Sequence, residues 1–164
     1  MISVIGGEAS GPDALAAAEA VGREIARRGA TLVCGGRRGV MEAACRGARE
    51  AGGHTIGIMP GRGYEDSPPN QYVEFPLFTG LGFARNIQVV LSGDAVIAID
   101  GSYGTLSEIS YALIHEVPLV GIDTWDFNYH GFDGHDRISR VSDPVEAVAI
   151  AIARAEERRA TAAE

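Results

Sequence analysis

The residues with the clearest chemical reach in this chain of 164 are Arg85, Glu108 and the turn Gly101-Ser-Tyr-Gly-Thr105 that lies between them. Gly101 and Gly104 let the backbone approach a ligand and take up positive φ. Ser102 and Thr105 add hydroxyl donors, with Tyr103 between the glycines. The turn follows the apolar run Ala95-Val-Ile-Ala-Ile99 and opens at once into a helical pattern. Free backbone N–H groups and the positive end of a helix dipole therefore aim at one point, which suits an anion and phosphate above all. Glu108, a helical turn further on, supplies a carboxylate, a candidate base or ribose-hydroxyl acceptor. Arg85 supplies a guanidinium suited to bidentate contact with phosphate or carboxylate. Two plainer readings stand beside this one. Thr105-Leu-Ser-Glu108 fits a capping box that merely satisfies orphan helix N–H groups, and Arg85 with Glu108 could form a structural ion pair without chemistry. Capping asks for neither flanking glycine, which favours a ligand site.

A second turn of the same kind follows the short apolar run Thr31-Leu-Val-Cys34, where Gly35, Gly36, Gly39, Val40 and Met41 lead into an alanine-rich helix. A third follows Ile2-Ser-Val-Ile5 at Gly6-Gly7. In a parallel sheet all such junctions lie at the carboxyl ends of the strands, where ligands bind. None carries Gly-x-Gly-x-x-Gly, so no dinucleotide fingerprint is present.

The elements that must position these turns alternate along the chain. Strands are expected at about residues 2–5, 31–34, 55–59, 72–77, 95–99 and 118–122, and helices at about 12–28, 39–52, 82–92, 104–115 and 143–158. The strands are continuous apolar runs, as in a parallel sheet covered on both faces. The expected fold is α/β: a single, doubly wound, mostly parallel Rossmann-like sheet with helices on both faces. It forms one domain over residues 1–154, with a charged, fraying tail at 155–164. Pro60 to Asn70 reads as a mobile loop at a strand end that could act as a lid. Around His130-Gly-Phe-Asp-Gly-His-Asp136 no helical or hairpin spacing fixes a ligand set, so no metal site is expected. Trp125, Phe127, Tyr129 and Phe132 are expected to pack as a cover, or against another subunit.

Composition narrows the chemistry. A net charge of −8 argues against nucleic acid or anionic membranes as partners. All fourteen basic residues are arginine. Without lysine there is no Schiff-base residue for pyridoxal phosphate and no P-loop lysine, and no resident cofactor is expected. Cys34 and Cys45 form no C-x-x-C pair and read as reduced core thiols. No apolar run is long enough to span a bilayer, and no basic-then-apolar leader opens the chain. The expected location is cytoplasmic.

Four stretches resemble the Lonely Guy-type nucleoside 5′-monophosphate phosphoribohydrolases and their relatives, often labelled lysine decarboxylases. They are Gly35-Gly-Arg-Arg-Gly-Val-Met41, Ile56-Gly-Ile-Met-Pro60, Ala84-Arg-Asn86 and Gly101-Ser-Tyr-Gly-Thr-Leu-Ser-Glu108. In those hydrolases the last motif reads Pro-Gly-Gly-x-Gly-Thr-x-x-Glu. Its glycines and threonine hold the 5′-phosphate, and an upstream arginine with the terminal glutamate forms the catalytic pair. The resemblance thus implies a catalytic Arg85 and Glu108, a small nucleotide-like ligand, and a homodimer or higher homo-oligomer with the site near the subunit boundary. The apolar side of helix 82–92 (Ile87, Val90, Leu91) would supply the contact. Asp100 replaces the usual proline, Ser102 the second glycine, and Ala-Arg-Asn the usual Pro-Arg-Lys. These departures resemble the branch that includes the molybdenum cofactor carrier protein. Two functions are therefore implied: cleavage of an N-glycosidic bond, or non-catalytic carriage or sensing of a pterin or nucleotide phosphate.

Overall fold

The computed structural model describes residues 1–127 and 137–162. The chain runs β1 (Ile2–Gly6), α1 (Pro12–Arg27), β2 (Leu32–Cys34), α2 (Val40–Glu50), β3 (Thr55–Met59) and β4 (Phe75–Phe78). A 3₁₀ turn (Gly82–Arg85) then leads into α3 (Asn86–Ser92), β5 (Ala95–Ile99), α4 (Tyr103–Ile114), β6 (Leu119–Ile122), β7 (Ile138–Arg140) and α5 (Pro144–Ala162). Among the described residues the strands form one sheet in the order β4-β3-β2-β1-β5-β6-β7, and every adjacent pair is parallel. Alternation along each strand divides the core between two faces. Ile2 and Val4, with Ala95, Ile97 and Ile99, pack under α1, α2 and α5. Ile5, Val96 and Ala98 pack with Val89, Val90 and Ile109 of α3 and α4. The doubly wound α/β architecture is as the sequence predicts.

α1 and α2 touch backbone to backbone. A Cβ on Gly22 would sit 1.9 Å from the Ala44 carbonyl oxygen, and one on Gly47 would sit 2.0 Å from that of Glu19. On the opposite face the Ser3 hydroxyl donates to the Val89 carbonyl at 2.6 Å and ties α3 to β1.

Several expected boundaries move. The helix placed at 82–92 divides: residues 82–85 form the 3₁₀ turn and the α-helix starts at Asn86. β4 begins at Phe75 rather than near residue 72, because the chain before it is held by side chains: the Thr55 hydroxyl donates to the Tyr72 carbonyl at 2.6 Å. β7 was absent from the expected strands. α5 continues into the segment expected to fray, where Arg159 pairs with Asp94 and Ala155 is buried. Of the proposed contact face on α3, Val90 belongs to the core, Ile87 is half-buried and Leu91 remains exposed. No described helix is long and apolar enough to cross a membrane. Most of the segment around His130–Asp136, with Tyr129 and Phe132, lies outside the described residues.

Candidate functional site

The sheet reverses its direction of growth between β1 and β5. β2, β3 and β4 build outward on one side of β1, while β5, β6 and β7 build on the other. At such a switch point the turns leaving the carboxyl ends diverge and leave a crevice. Here the turns after β1, β2 and β5 meet. Gly39 has φ 66°, and a Cβ on it would lie 2.3 Å from the Gly7 carbonyl oxygen. That same carbonyl accepts the Val40 N–H at 3.0 Å. A Cβ on Gly7 would in turn lie 3.9 Å from both the Gly101 Cα and the Ser102 nitrogen. Gly35, Gly36, Gly39, Val40 and Met41 thus flank the end of β1 on one side, and Gly101, Ser102, Tyr103, Gly104 and Thr105 flank it on the other.

The turn after β5 is wound in a way that proline could not follow. Asp100 has φ 52° and Gly101 φ 141°, whereas proline is held near −65°. The Asp100 carbonyl accepts the Thr124 hydroxyl at 2.6 Å. α4 then starts three residues earlier than Thr105-x-x-Glu108 capping would require. Ser102 is its N-cap, and its N–H donates to Thr105 Oγ1 at 3.3 Å. The expected capping role of Glu108 is therefore corrected, because Glu108 sits well inside the helix.

Glu108 instead faces Arg85. Both are almost wholly buried, with Arg85 6% and Glu108 7% exposed. Arg85 Nη1 lies 3.9 Å from Glu108 Oε1, Nη2 donates to the Gly35 carbonyl at 3.4 Å, and Nη1 also donates to Asn86 Oδ1. A closed ion pair looks different: Arg23 and Glu19 approach to 2.7 Å. Arg85 Nε is buried without any hydrogen-bond partner among the described residues. Burial pushes the Glu108 carboxyl up to about 8, with the Arg85 charge opposing that rise. Burial likewise lowers Arg85, against the attraction of Glu108. The two groups thus face each other without closing into an ion pair, and a desolvated guanidinium held this way is costly unless a further partner completes it.

Two buried asparagines hold this arrangement, and neither was expected. Asn86 Nδ2 donates to Ser107 Oγ at 2.8 Å and to the Gly104 carbonyl at 3.4 Å, so the residue after Arg85 locks onto the β5 turn. Asn70 Nδ2 donates to the carbonyls of Gly36 (3.2 Å) and Arg37 (2.8 Å). The end of the segment expected to act as a lid is thus a buttress for the β2 turn. Beside it opens a cleft of about 400 Å³ lined by residues including Glu8, Arg37, Arg38 and Asp66, with Arg37 paired to Glu8 at 2.6 Å. Cys34 and Cys45 are buried free thiols with sulfurs 3.4 Å apart. Among the described residues, no three His, Cys, Asp or Glu side chains are grouped to hold a metal ion.

Comparison with known proteins gives this geometry a context. Residues 1–151 match the model of the SLOG cluster4 family. The cytokinin riboside 5′-monophosphate phosphoribohydrolase of Mycobacterium tuberculosis is 32% identical over 121 residues, covering 70% of this chain and 63% of that protein. The molybdenum cofactor binding protein of Rippkaea orientalis superposes with a TM-score of 0.83 at 35% identity, over 93% of this chain and 94% of that one. The molybdenum cofactor carrier protein of Chlamydomonas reinhardtii superposes with a TM-score of 0.78, also at 35% identity, over 97% and 98% of the two chains.

Proposed function

The chain belongs to the SLOG cluster4 family, and on that premise we propose that its crevice binds a small phosphate-bearing ligand of the nucleotide or pterin type. The observation that carries this reading is the buried Arg85 Nε left without a partner among the described residues. A desolvated guanidinium with an unmet donor is expensive in a folded protein, and a phosphate oxygen is the partner its fork fits best. The backbone N–H groups of the Gly101–Thr105 turn and the amino end of α4 would share the remaining phosphate oxygens. Carriage or sensing is the first form of this function. The two molybdenum cofactor proteins match nearly the full chain, whereas the hydrolase match spans 63% of that enzyme.

One observation favours hydrolysis as the second form. A Glu108 carboxyl raised to about 8 holds a proton at neutral pH. It could pass that proton to the departing base as the N-glycosidic bond of a nucleoside 5′-monophosphate breaks. Water adding at C1′ would complete ribose 5-phosphate, its surplus proton returning to the Glu108 carboxylate. AMP, GMP and CMP should raise the melting temperature of the purified protein. For a ligand at about 100 times its Kd the gain is about 2.7 kcal/mol. Arg85→Ala should weaken every phosphate ligand by about 1.5–3 kcal/mol. Stabilisation without free base supports the carrier, and release of base supports the hydrolase. Affinities unchanged by Arg85→Ala would remove Arg85 from the site.

A further inference from the structure

Apart from Met1, every sulfur atom of the chain belongs to Cys34, Met41, Cys45 or Met59, and all four gather around one dipeptide, Gly35-Gly36. Cys34 ends β2 and Cys45 lies in α2, with their sulfurs 3.4 Å apart. The Gly36 N–H donates to Cys34 Sγ at 3.3 Å. A Cβ on Gly35 would lie 2.9 Å from Met41 Sδ, and one on Gly36 would lie 2.2 Å from Met59 Sδ. The glycines thus leave the sulfurs the room that side chains would take. Cys34, Cys45 and Met59 are fully buried, and Met41 is 7% exposed. The elements explain the convergence. Cys34 pairs with Gly57 in the sheet, so Met59, two residues on, points to the same face. α2 lays Met41 and Cys45, four residues apart on one side of the helix, over that face. Thioethers fill irregular gaps anywhere in a core, but two of them beside a pair of contacting thiols also make a donor set.

We infer that Cys34, Cys45, Met41 and Met59 form a binding site for a soft monovalent cation, Cu(I), beneath the β2 turn. Thiolate and thioether sulfur suit Cu(I), whereas calcium and magnesium take oxygen ligands. Among the described residues no third His, Cys, Asp or Glu joins the two thiols. The remaining donors are therefore the thioethers, which select the soft ion over zinc. Metal–sulfur bonds of about 2.3 Å at a tetrahedral angle set two sulfurs about 3.8 Å apart. From 3.4 Å the thiols need part by only about 0.4 Å to hold an ion between them. Binding releases both thiol protons to solvent and transfers no electron, the ion entering and staying as Cu(I). Two thiolates and one cation leave a single negative charge. Arg85, whose Nη2 donates to the Gly35 carbonyl at 3.4 Å, stands beside that charge to balance it. The site needs no occupant in the crevice, so it stands or falls independently of the phosphate reading.

Reduced, oxygen-free protein is titrated with Cu(I) against a chromogenic Cu(I) chelator, and the loaded chain is weighed by native mass spectrometry. One Cu(I) per chain should leave the chelator, and the mass should show two protons displaced. Zn(II) offered in the same way should not be retained. Loading should raise the melting temperature of the parent. Cys45→Ser should lose both the ion and that rise. Met41→Leu combined with Met59→Leu, which nearly conserves core volume, should release Cu(I) at a chelator concentration that leaves the parent loaded. Failure of the parent to capture Cu(I) overturns the site. So does capture that displaces no protons or survives Cys45→Ser, since the ion would then be held elsewhere. Equal retention by the double-leucine variant, or an equal hold on Zn(II), overturns the thioether ligands and with them the assignment to Cu(I). The parent's mass and its choice between the two metals decide the matter even where Cys45→Ser does not fold.

Discussion

A carboxyl group buried beside an arginine it does not fully engage carries a pH signature. Below about 4.5, its usual value, Glu108 is protonated whether the chain is folded or not. Between there and about 8, the folded protein holds a proton that the unfolded chain has released. Stability owed to this group is therefore complete at low pH and is lost as pH rises through about 8. Glu108→Gln keeps the shape and removes the titration. Denaturant midpoints should thus show the variant gaining on the parent steadily from pH 5 to 8, with the difference levelling off above. Parallel curves would mean that Glu108 is ionised in the folded state. The same variant should abolish any base release yet keep phosphate binding. At this scale the sequence was partly legible. Arg85 and Glu108 could be placed on one edge because one lies in the segment that precedes β5 and the other in the helix that follows it, and the structure puts them 3.9 Å apart. Asn70 and Asn86 could not be read, since their chief partners are backbone carbonyls and a serine far along the chain, which leave no pattern in residue type. The capping register slipped by three because Ser102 and Thr105 are both residues that favour a helix start.

Among the elements, α1 and α2 set the position of the second glycine turn, because α2 begins where that turn ends. Their closeness depends on Gly22 and Gly47. Replacing a mid-helix glycine with alanine normally helps, by roughly 0.5–1 kcal/mol. At Gly22 the new methyl would lie 1.9 Å from the Ala44 carbonyl, which is backbone and cannot rotate away, so the clash wins. Gly22→Ala should lower stability by about 1–3 kcal/mol, seen as a reduced urea midpoint with unchanged slope. An unchanged or raised midpoint would show that the helices can part freely. Long periodic elements such as α1 were readable because burial recurs at helical spacing, as at Ala18, Val21 and Ile25. β7 was not, since Ile138-Ser-Arg140 offers only three residues for any period. α5 extends past its expected end because Ala147, Ala151 and Ala155 continue one buried stripe through residues whose charges suggested fraying.

For the whole molecule, exposed Phe83, Leu91 and Ile114 belong to the 3₁₀ turn, α3 and α4, the layer that also supplies Arg85 and Glu108. We propose that this layer, through its exposed apolar side chains, meets a second copy of the chain. Light scattering should give a mass near twice the 17.2 kDa of one chain, and Leu91→Asp should shift it toward the monomer. A single-chain mass at micromolar concentration would refute the dimer. The bridging of Arg85 to both Gly35 and Glu108 has a kinetic meaning as well. Gly35 precedes it by fifty residues, and Glu108 arrives on a different strand–helix unit. The crevice therefore exists only once the two wings of the sheet have docked, and contacts so distant along the chain are slow to form. A ligand meets nothing to bind on the way to the native state, so its stabilisation falls on the unfolding step. Occupancy would act as a latch: it lengthens the lifetime of the folded chain and leaves the pace of folding untouched.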